Sequence, residues 1–303
     1  MHTHHVSASG AGERYNFSFS TGYQDQTGVV YSTRADKLDY RLKLTLNFFD
    51  KKISIGANVS GVEKTSHEAQ STSSIISRYL TNRPIIIYKG IDEDGETVYG
   101  QGATAYAIEE NGGGNDVAYS DLNSSFNLMW TPSTKFIFKA VYNIRNTRTH
   151  TLRFIPQYEL TGSINATSRT VNRSEMSDRS DWTRFDQFNV TANYKDRIGK
   201  KFRINLLAGY EMRYRKSEWS QSHIYDMMKN EPVLSFGDPN TLSTNASRSE
   251  YAALSGFVRA NFDYDQRYIL ELNARYDGSS RFSPGIRFGF FPSAAFAWRV
   301  NRE

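Results

Sequence analysis

The chain has 303 residues, a formal net charge of +5, 38% hydrophobic residues, 14% aromatic residues and no cysteine. The absence of cysteine excludes a disulfide framework, a zinc–thiolate centre and a thiol nucleophile. The mean hydropathy of −0.60 is typical of a soluble or partly disordered chain, but disordered chains are poor in aromatic residues. Low hydropathy combined with many aromatic residues suits a membrane β-barrel, because only one face of each strand must be apolar.

The positive charge raises the question of a nucleic-acid partner. Lys and Arg are scattered along the chain beside Asp and Glu, without a basic tract. We therefore predict no nucleic-acid binding. The sequence also lacks an apolar run of about 18 residues, which a transmembrane helix would need.

The first residues predict strands at about 4–10 and 15–24, with Tyr15, Phe17 and Phe19 on one face. The group His2, His4 and His5 has no further ligands at a useful spacing. We therefore interpret it as part of a frayed first strand rather than as a metal site.

The next hairpin, at about residues 42–48 and 53–60, alternates most clearly between apolar and polar residues. Its polar face includes Arg41 and Lys43. Both would be costly in a sandwich core unless paired, but they cost little in a water-filled lumen. A sandwich with this charged face outside remains open at this point.

Three further hairpins follow the same pattern. Their strands lie at about residues 123–130 and 136–144, 188–195 and 204–210, and 254–262 and 268–276. Short turns close each hairpin, whereas long polar segments at about 62–117, 149–181 and 217–248 connect one hairpin to the next. The first of these segments contains a predicted helix at 71–80. Short turns alternating with long loops are typical of outer-membrane barrels, whose short turns are periplasmic and long loops extracellular.

The sequence therefore predicts an all-β fold, an antiparallel transmembrane β-barrel with about eleven strands. Aromatic residues mark the short-turn ends and predict an interfacial girdle, with ordinary strand-end packing as the alternative. They are Phe48, Phe49, Trp130, Tyr194, Tyr264, Tyr268 and Trp298.

The segment 275–299 ends one strand, passes through turn residues and enters a second, strongly aromatic strand. Its sequence is RYDGSSRFSPGIRFGFFPSAAFAWR. The run DGSSRF followed by GFFPSAAFAWR closely resembles a barrel segment of the SusC/RagA-like transporters, the TonB-dependent outer-membrane importers of the Bacteroidetes. The resemblance covers nearly the whole chain but only about half of the 22-stranded barrel of such transporters.

This resemblance implies that residues 1–303 form a partial TonB-dependent receptor β-barrel domain, without the plug domain and the C-terminal half of the barrel. It implies a location in the bacterial outer membrane, in contact with lipid. It also implies import of a glycan, oligosaccharide or peptide with a SusD-like lipoprotein as partner. Energy would come from the TonB–ExbB–ExbD complex through the plug.

Two sets of residues are candidates for roles within this family. The signature loop is predicted to be structural, with Arg281 pairing with Asp277, and contact with a lid partner or substrate is the alternative. It comprises Asp277, Gly278, Ser279, Ser280, Arg281 and Phe282. Loop aromatics could stack on sugar rings, with loop packing as the alternative. They are Tyr79, Tyr88, Tyr99, Tyr106 and Trp219.

No nucleophile elbow, P-loop, dinucleotide-binding glycine motif or HExxH motif is present. The acidic residues at 92–94 and 109–110 lie in polar loops and are interpreted as solvated turns. We predict no enzyme activity, no catalytic residue, no cofactor and no metal.

The alternative function is a soluble β-sandwich that binds carbohydrate or acts as an adhesin. The two functions differ in the environment of the apolar face. A membrane barrel places this face in lipid, and a sandwich buries it against a second sheet. The residues that distinguish them are Leu42, Leu44, Leu46, Phe136, Phe138, Leu270 and Leu272.

Overall fold

The computed structural model describes residues 1–30, 32–70, 72–81, 89–91, 95, 97–99, 109, 112–157, 159–161, 169–171 and 173–300. The described elements are β1 (His2–Ala11), β2 (Tyr15–Thr27), β3 (Arg34–Phe48), β4 (Ile53–Ala69), α1 (Thr72–Thr81), β5 (Lys89–Ile91), β6 (Thr97–Tyr99), β7 (Gly114–Ser133), β8 (Phe136–Ile155), β9 (Glu159–Thr161), β10 (Arg169–Val171), β11 (Glu175–Ile198), β12 (Phe202–Tyr225), β13 (Ser243–Tyr264), β14 (Tyr268–Ser279) and β15 (Phe288–Trp298). Three short 3-10 helices lie at Leu234–Phe236, Pro239–Thr241 and Pro284–Ile286.

Eleven of these strands form one antiparallel sheet in the order β1-β2-β3-β4-β7-β8-β11-β12-β13-β14-β15. Apart from the short strands β5, β6, β9 and β10, which lie in the long connections, each strand pairs with the strands that precede and follow it in the chain. In the described part of the chain, β1 pairs only with β2 and β15 only with β14, so the sheet is open. The predicted antiparallel barrel fold with about eleven strands is confirmed.

Tight turns close the hairpins at one end of the sheet, which we call the short-turn end. Asp50 and Lys51 in the β3–β4 turn, and Asp265 and Gln266 in the β13–β14 turn, all have positive φ. The residue after each pair donates a backbone hydrogen bond of 3.0 Å to the residue before it. This is type I′ geometry, whose twist matches that of the strands it joins.

The strands extend much further toward the opposite, long-loop end than the sequence predicted. β11 and β12 have 24 residues each, and their register runs from Ile198 opposite Phe202 to Glu175 opposite Tyr225. The predicted long loops at 149–181 and 217–248 are therefore wrong over much of their length. The side chains of this extension are mostly polar on both faces and show no apolar alternation, so backbone pairing continues where the hydropathy pattern has disappeared.

Buried apolar residues form two small clusters, both at the long-loop end. In the first, Ile75 of α1 is completely buried against Val30 and Ala69, and α1 confirms the helix predicted at 71–80. The second cluster packs Met176, Ile224 and Met227 together near the ends of β11 and β12. No other buried apolar cluster exists among the described residues, so the centre of the sheet has no core of its own.

No helix in the described part of the chain is long and apolar enough to cross a membrane.

Candidate functional site: the two faces of the sheet

One face of the sheet, which we call the apolar face, carries the alternating Leu, Phe, Ile, Val and Tyr residues. None of the seven residues that distinguish barrel from sandwich is buried. Leu42 is 45% exposed, Phe136 41% and Leu272 42%. The other two sheets among the described residues have two short strands each, so the described chain contains no second layer that could bury this face.

The short-turn end of the apolar face carries the predicted aromatic girdle. Its rings contact aromatic rings on neighbouring strands: Trp130 lies 5.1 Å from Phe138, and Tyr268 lies 6.5 Å from Trp298, between ring centroids. The girdle rings of Trp130, Tyr268 and Trp298 are 39–50% exposed. Their amphipathic side chains suit the boundary between lipid and water.

The apolar band ends well before the strands do. On β12 the apolar face runs from Phe202 to Tyr214 and then changes to Lys216 and Glu218. At about 3.4 Å per residue and a tilt of about 45°, the apolar part is about 29 Å tall, close to the band of about 25 Å in outer-membrane barrels. The apolar part of β12 therefore has the length needed to cross a bilayer once.

The boundary of the apolar band nearer the long-loop end has features that sequence analysis missed. Tyr276 and Phe288 stack with ring centroids 5.3 Å apart and planes 8° apart, which resembles a second girdle. Nearby, the Asp186 carboxylate accepts hydrogen bonds of 2.8 Å from both Arg184 Nε and Tyr142 Oη. The Asp186 carboxylate is thus paired with Arg184 at the level where the apolar residues end, as expected near the boundary between lipid and water.

The opposite face, which we call the polar face, is lined largely by Asn, Ser, Thr and charged residues, several of which are paired. Asn193 donates a hydrogen bond of 2.8 Å to the Asn205 side chain across β11 and β12. Arg275 Nε lies 2.6 Å from Asp277 Oδ1. Such side chains suit a hydrated lumen and would be poor lipid contacts.

The predicted loop aromatics occupy different places. Tyr79 lies on α1, where its hydroxyl donates to Glu109 Oε2 at 2.5 Å. Tyr99 is in β6, and Tyr88 and Tyr106 lie outside the described residues. Trp219 was placed in a loop by the sequence, but it belongs to β12 and lies on the polar face, where the Arg179 guanidinium stands 4.4 Å from the ring centroid.

The signature loop is shorter than predicted, because Asp277, Gly278 and Ser279 continue β14. Ser280 extends the pairing further: its backbone N–H donates to Ala252 O, and its hydroxyl accepts from the Ala252 N–H, both at 2.9 Å. A Cβ at Gly278 would collide with the ring of Phe288. Its backbone therefore fits beneath the ring only as glycine.

The predicted pairing of Arg281 with Asp277 is wrong. The Asp277 carboxylate is paired with Arg275 instead, and the Arg281 guanidinium lies over the ring of Tyr251, 4.9 Å from its centroid. The sequence could not reveal this because Tyr251 is on the neighbouring strand β13, thirty residues earlier. Phe282 follows in the turn and is 55% exposed.

An exposed ion pair joins two segments at the long-loop end, beyond the strands. Arg173 Nη2 lies 2.7 Å from Asp226 Oδ2, and Arg173 Nε donates to Asp226 Oδ1 at 2.9 Å. These hydrogen bonds lower the pKa of the Asp226 carboxyl below its usual value. The pair connects the residues preceding β11 to those following β12.

No family model matches the chain. TonB-dependent receptor P26 of Formosa agariphila is 26% identical over 98% of the chain, and TonB-dependent receptor SusC of Bacteroides thetaiotaomicron is 22% identical over 99%. The chain spans 30% and 31% of the lengths of these two relatives. The named relatives are receptors rather than enzymes.

Solved structures of the same fold include the RagAB peptide importer in its open-open state. It matches 96% of the chain with a TM-score of 0.75 and 22% identity, and the match covers 33% of that chain. FpvA of P. aeruginosa, solved bound to a heterologous pyoverdine, matches 98% of the chain with a TM-score of 0.56 and 11% identity. The resemblance to SusC/RagA-like TonB-dependent transporters and the outer-membrane location are therefore confirmed, and nearly the whole chain is similar to part of the barrel of these proteins.

Proposed function

We propose that the protein imports a nutrient across the outer membrane in a TonB-dependent manner, and that residues 1–303 form part of its barrel wall. The observation that carries this proposal is the sheet itself, with a girdled apolar face on one side and a hydrated polar face on the other. An apolar surface of this extent is unfavourable in water. A bilayer covers it, provided that the backbone groups at the sheet edges pair with further strands.

We further propose that the protein is the SusC-like component of a SusCD-type complex. A SusD-like lipoprotein would bind at the long-loop end, and the TonB–ExbB–ExbD complex would supply energy through a plug domain. The substrate would be a glycan, an oligosaccharide or a peptide. Similarity to SusC and to the RagAB importer supports this assignment.

Among the loop aromatics whose side chains the structure describes, Trp219 has the position that best suits contact with a substrate. Its ring lies on the polar face in the strand extension, above the level of the apolar band. Indole rings bind the faces of sugars and the apolar parts of peptides. We expect Trp219→Ala to weaken substrate binding, whereas loss of stability with unchanged binding would assign the ring to packing with Arg179.

The proposal is tested on the full-length protein in its native host. We expect it in the outer-membrane fraction, with a folded gel mobility that changes on heating, and we expect a SusD-like lipoprotein to co-purify. Deleting the gene should abolish growth on one nutrient, and deleting the TonB gene should have the same effect. Recovery of the protein in the soluble fraction would contradict the membrane assignment, and uptake independent of TonB would contradict the mechanism.

A further inference from the structure

Four arginine side chains surround one depression on the polar face, with a volume of about 680 Å³. Arg145 is on β8, Arg213 and Arg215 are on β12, and Arg281 comes from the turn after β14. We call this depression, which Phe185 and Tyr251 also line, the arginine pocket. It lies at the level of Tyr214, where the apolar band ends on the opposite face, and hence near the extracellular boundary of the membrane.

Strand register builds the floor of this pocket. Arg145 is opposite Phe185, Phe185 is opposite Arg215, and Arg215 is opposite Tyr251 on four neighbouring strands. Strands are spaced about 4.8 Å apart, so the backbones that carry Arg145 and Arg215 are about 10 Å apart. The result is a row in which guanidinium groups alternate with aromatic rings.

The pocket carries an excess of positive charge. Arg145 Nε lies 2.8 Å from Asp121 Oδ1, and Arg213 is paired with Glu211. For Arg215 and Arg281, by contrast, the described residues provide no carboxylate partner. Four guanidinium groups thus face two carboxylates.

Some other arginines of the polar face are neutralised locally. Arg179 lies 2.7 Å from Asp181 and Arg203 lies 3.1 Å from Asp263. Arg259, also on this face, donates to Asn273 Oδ1 at 2.8 Å instead. The arginine pocket is distinguished by four guanidinium groups around one depression, two of which, those of Arg215 and Arg281, have no carboxylate partner among the described residues. Both are exposed, so a ligand in the lumen can reach them.

We propose that the arginine pocket binds anionic groups of the transported substrate, which would carry at least two carboxylate groups. This inference rests on the proposed import function and adds a substrate class to it. Guanidinium groups form paired hydrogen bonds with the two oxygens of such anions. Phe185 and Tyr251 provide flat apolar surfaces between the charges for a sugar ring or an aliphatic chain.

The test measures binding to the purified full-length protein by calorimetry, with four probes. Tetragalacturonate and its neutral methyl ester form one pair, and a tetraglutamate peptide and the matching tetraglutamine peptide form the other. We expect an anionic probe to bind and its neutral counterpart to bind at least about tenfold more weakly, since a lost hydrogen bond to a charged group has about this effect. The pair that responds identifies the source of the carboxylates.

Variants then locate the binding site. We expect Arg215→Gln combined with Arg281→Gln to weaken binding of the anionic probe at least about tenfold, whereas Arg215→Lys combined with Arg281→Lys retains part of the affinity. Arg203→Gln is the matched control, because it removes one polar-face arginine near the short-turn end. Heat-dependent gel mobility verifies that each variant is folded.

Three results would overturn the proposal: equal binding of neutral and anionic probes, unchanged binding by the double Gln variant, or no binding of either anionic probe. If the double Gln variant lowers only the unfolding temperature, the arginines act in barrel packing and the proposal is wrong. TonB-dependent uptake of a neutral nutrient would refute the anionic substrate while leaving the import function intact. Binding of the anionic probe without any TonB-dependent uptake would refute the import function alone.

Discussion

At the residue scale, aromatic rings lie against glycine backbones on neighbouring strands. The Phe257 ring on β13 covers Gly209 on β12, where a Cβ would collide with it. Gly256, one residue earlier on β13, has nothing within 4 Å of an added Cβ. Gly209 and Gly256 therefore lie on neighbouring strands, but only Gly209 is covered by an aromatic ring.

We predict that Gly209→Val destabilises the barrel by about 1–3 kcal/mol, the usual cost of overpacking. The Phe257 ring must leave its position to make room for the new side chain. The measurement is the urea midpoint of the heat-modifiable gel band. Gly256→Val serves as the control and should leave this midpoint almost unchanged, and equal effects of both substitutions would show that the ring contact is unimportant.

Also at the residue scale, the Arg173–Asp226 pair predicts a dependence of stability on pH. The pKa of the Asp226 carboxyl is lowered in the folded protein, so this group stabilises the fold above the ordinary Asp pKa of about 3.9. The contribution is lost as the pH falls through the lower, folded pKa. Asp226 has φ +55°, which asparagine tolerates, so Asp226→Asn removes the charge with little change in backbone preference.

We expect Asp226→Asn to lower the unfolding temperature slightly at pH 7 and low salt, and the difference from wild type to disappear in strong acid. Both side chains are about half exposed, so added salt should reduce the effect. Thermal unfolding followed by circular dichroism at several pH values measures it. An effect that is the same at pH 7 and in strong acid would contradict the ion-pair explanation.

At the element scale, strand alternation assigns adjacent residues to opposite environments. On β11, Val190 lies on the apolar face and is 39% exposed. Asn189 lies on the polar face, opposite Glu211. One residue along a strand therefore separates lipid from lumen.

We predict that Val190→Arg costs about 2–4 kcal/mol, as for a basic residue at the depth of the bilayer centre. Asn189→Arg should be tolerated, since the new guanidinium would enter the polar face beside a carboxylate. Membrane insertion and the urea midpoint of the folded band are the observables. Equal tolerance of both substitutions would contradict the assignment of the apolar face to lipid.

At the scale of the whole molecule, the two ends of the sheet should lie on opposite sides of the outer membrane. Glu231 is exposed in the connection between β12 and β13 at the long-loop end, and Lys200 is exposed in the β11–β12 turn. The segment contains no cysteine. A single cysteine introduced at either position therefore reports on the accessibility of that position, because residues 1–303 contribute no other thiol that could be labelled.

We expect Glu231→Cys to react with a membrane-impermeant maleimide on intact cells, and Lys200→Cys to react only after the outer membrane is permeabilised. The physical reason is that the apolar band between them must span the bilayer. Labelling is measured as a gel shift of the full-length protein. The reverse pattern would place the short turns outside the cell and overturn the proposed orientation.

The sequence by itself determined the fold class, the number of strands and the face that each residue occupies in the apolar band. A period of two in hydropathy is a local property, and the sequence of β3, β4 or β14 shows it directly. The girdle residues at the short-turn ends were likewise identified, because each lies next to a short turn.

Only the tertiary structure decided what depends on pairing between strands. The extensions of β11 and β12 lack an apolar face, so nothing in their hydropathy distinguishes them from loops. The sequence also showed no sign of the row from Arg145 to Tyr251. Nor did it indicate that the Arg281 guanidinium lies over the Tyr251 ring instead of pairing with Asp277. These contacts join residues far apart in the chain, and strand register, a property of the whole sheet, brings them together.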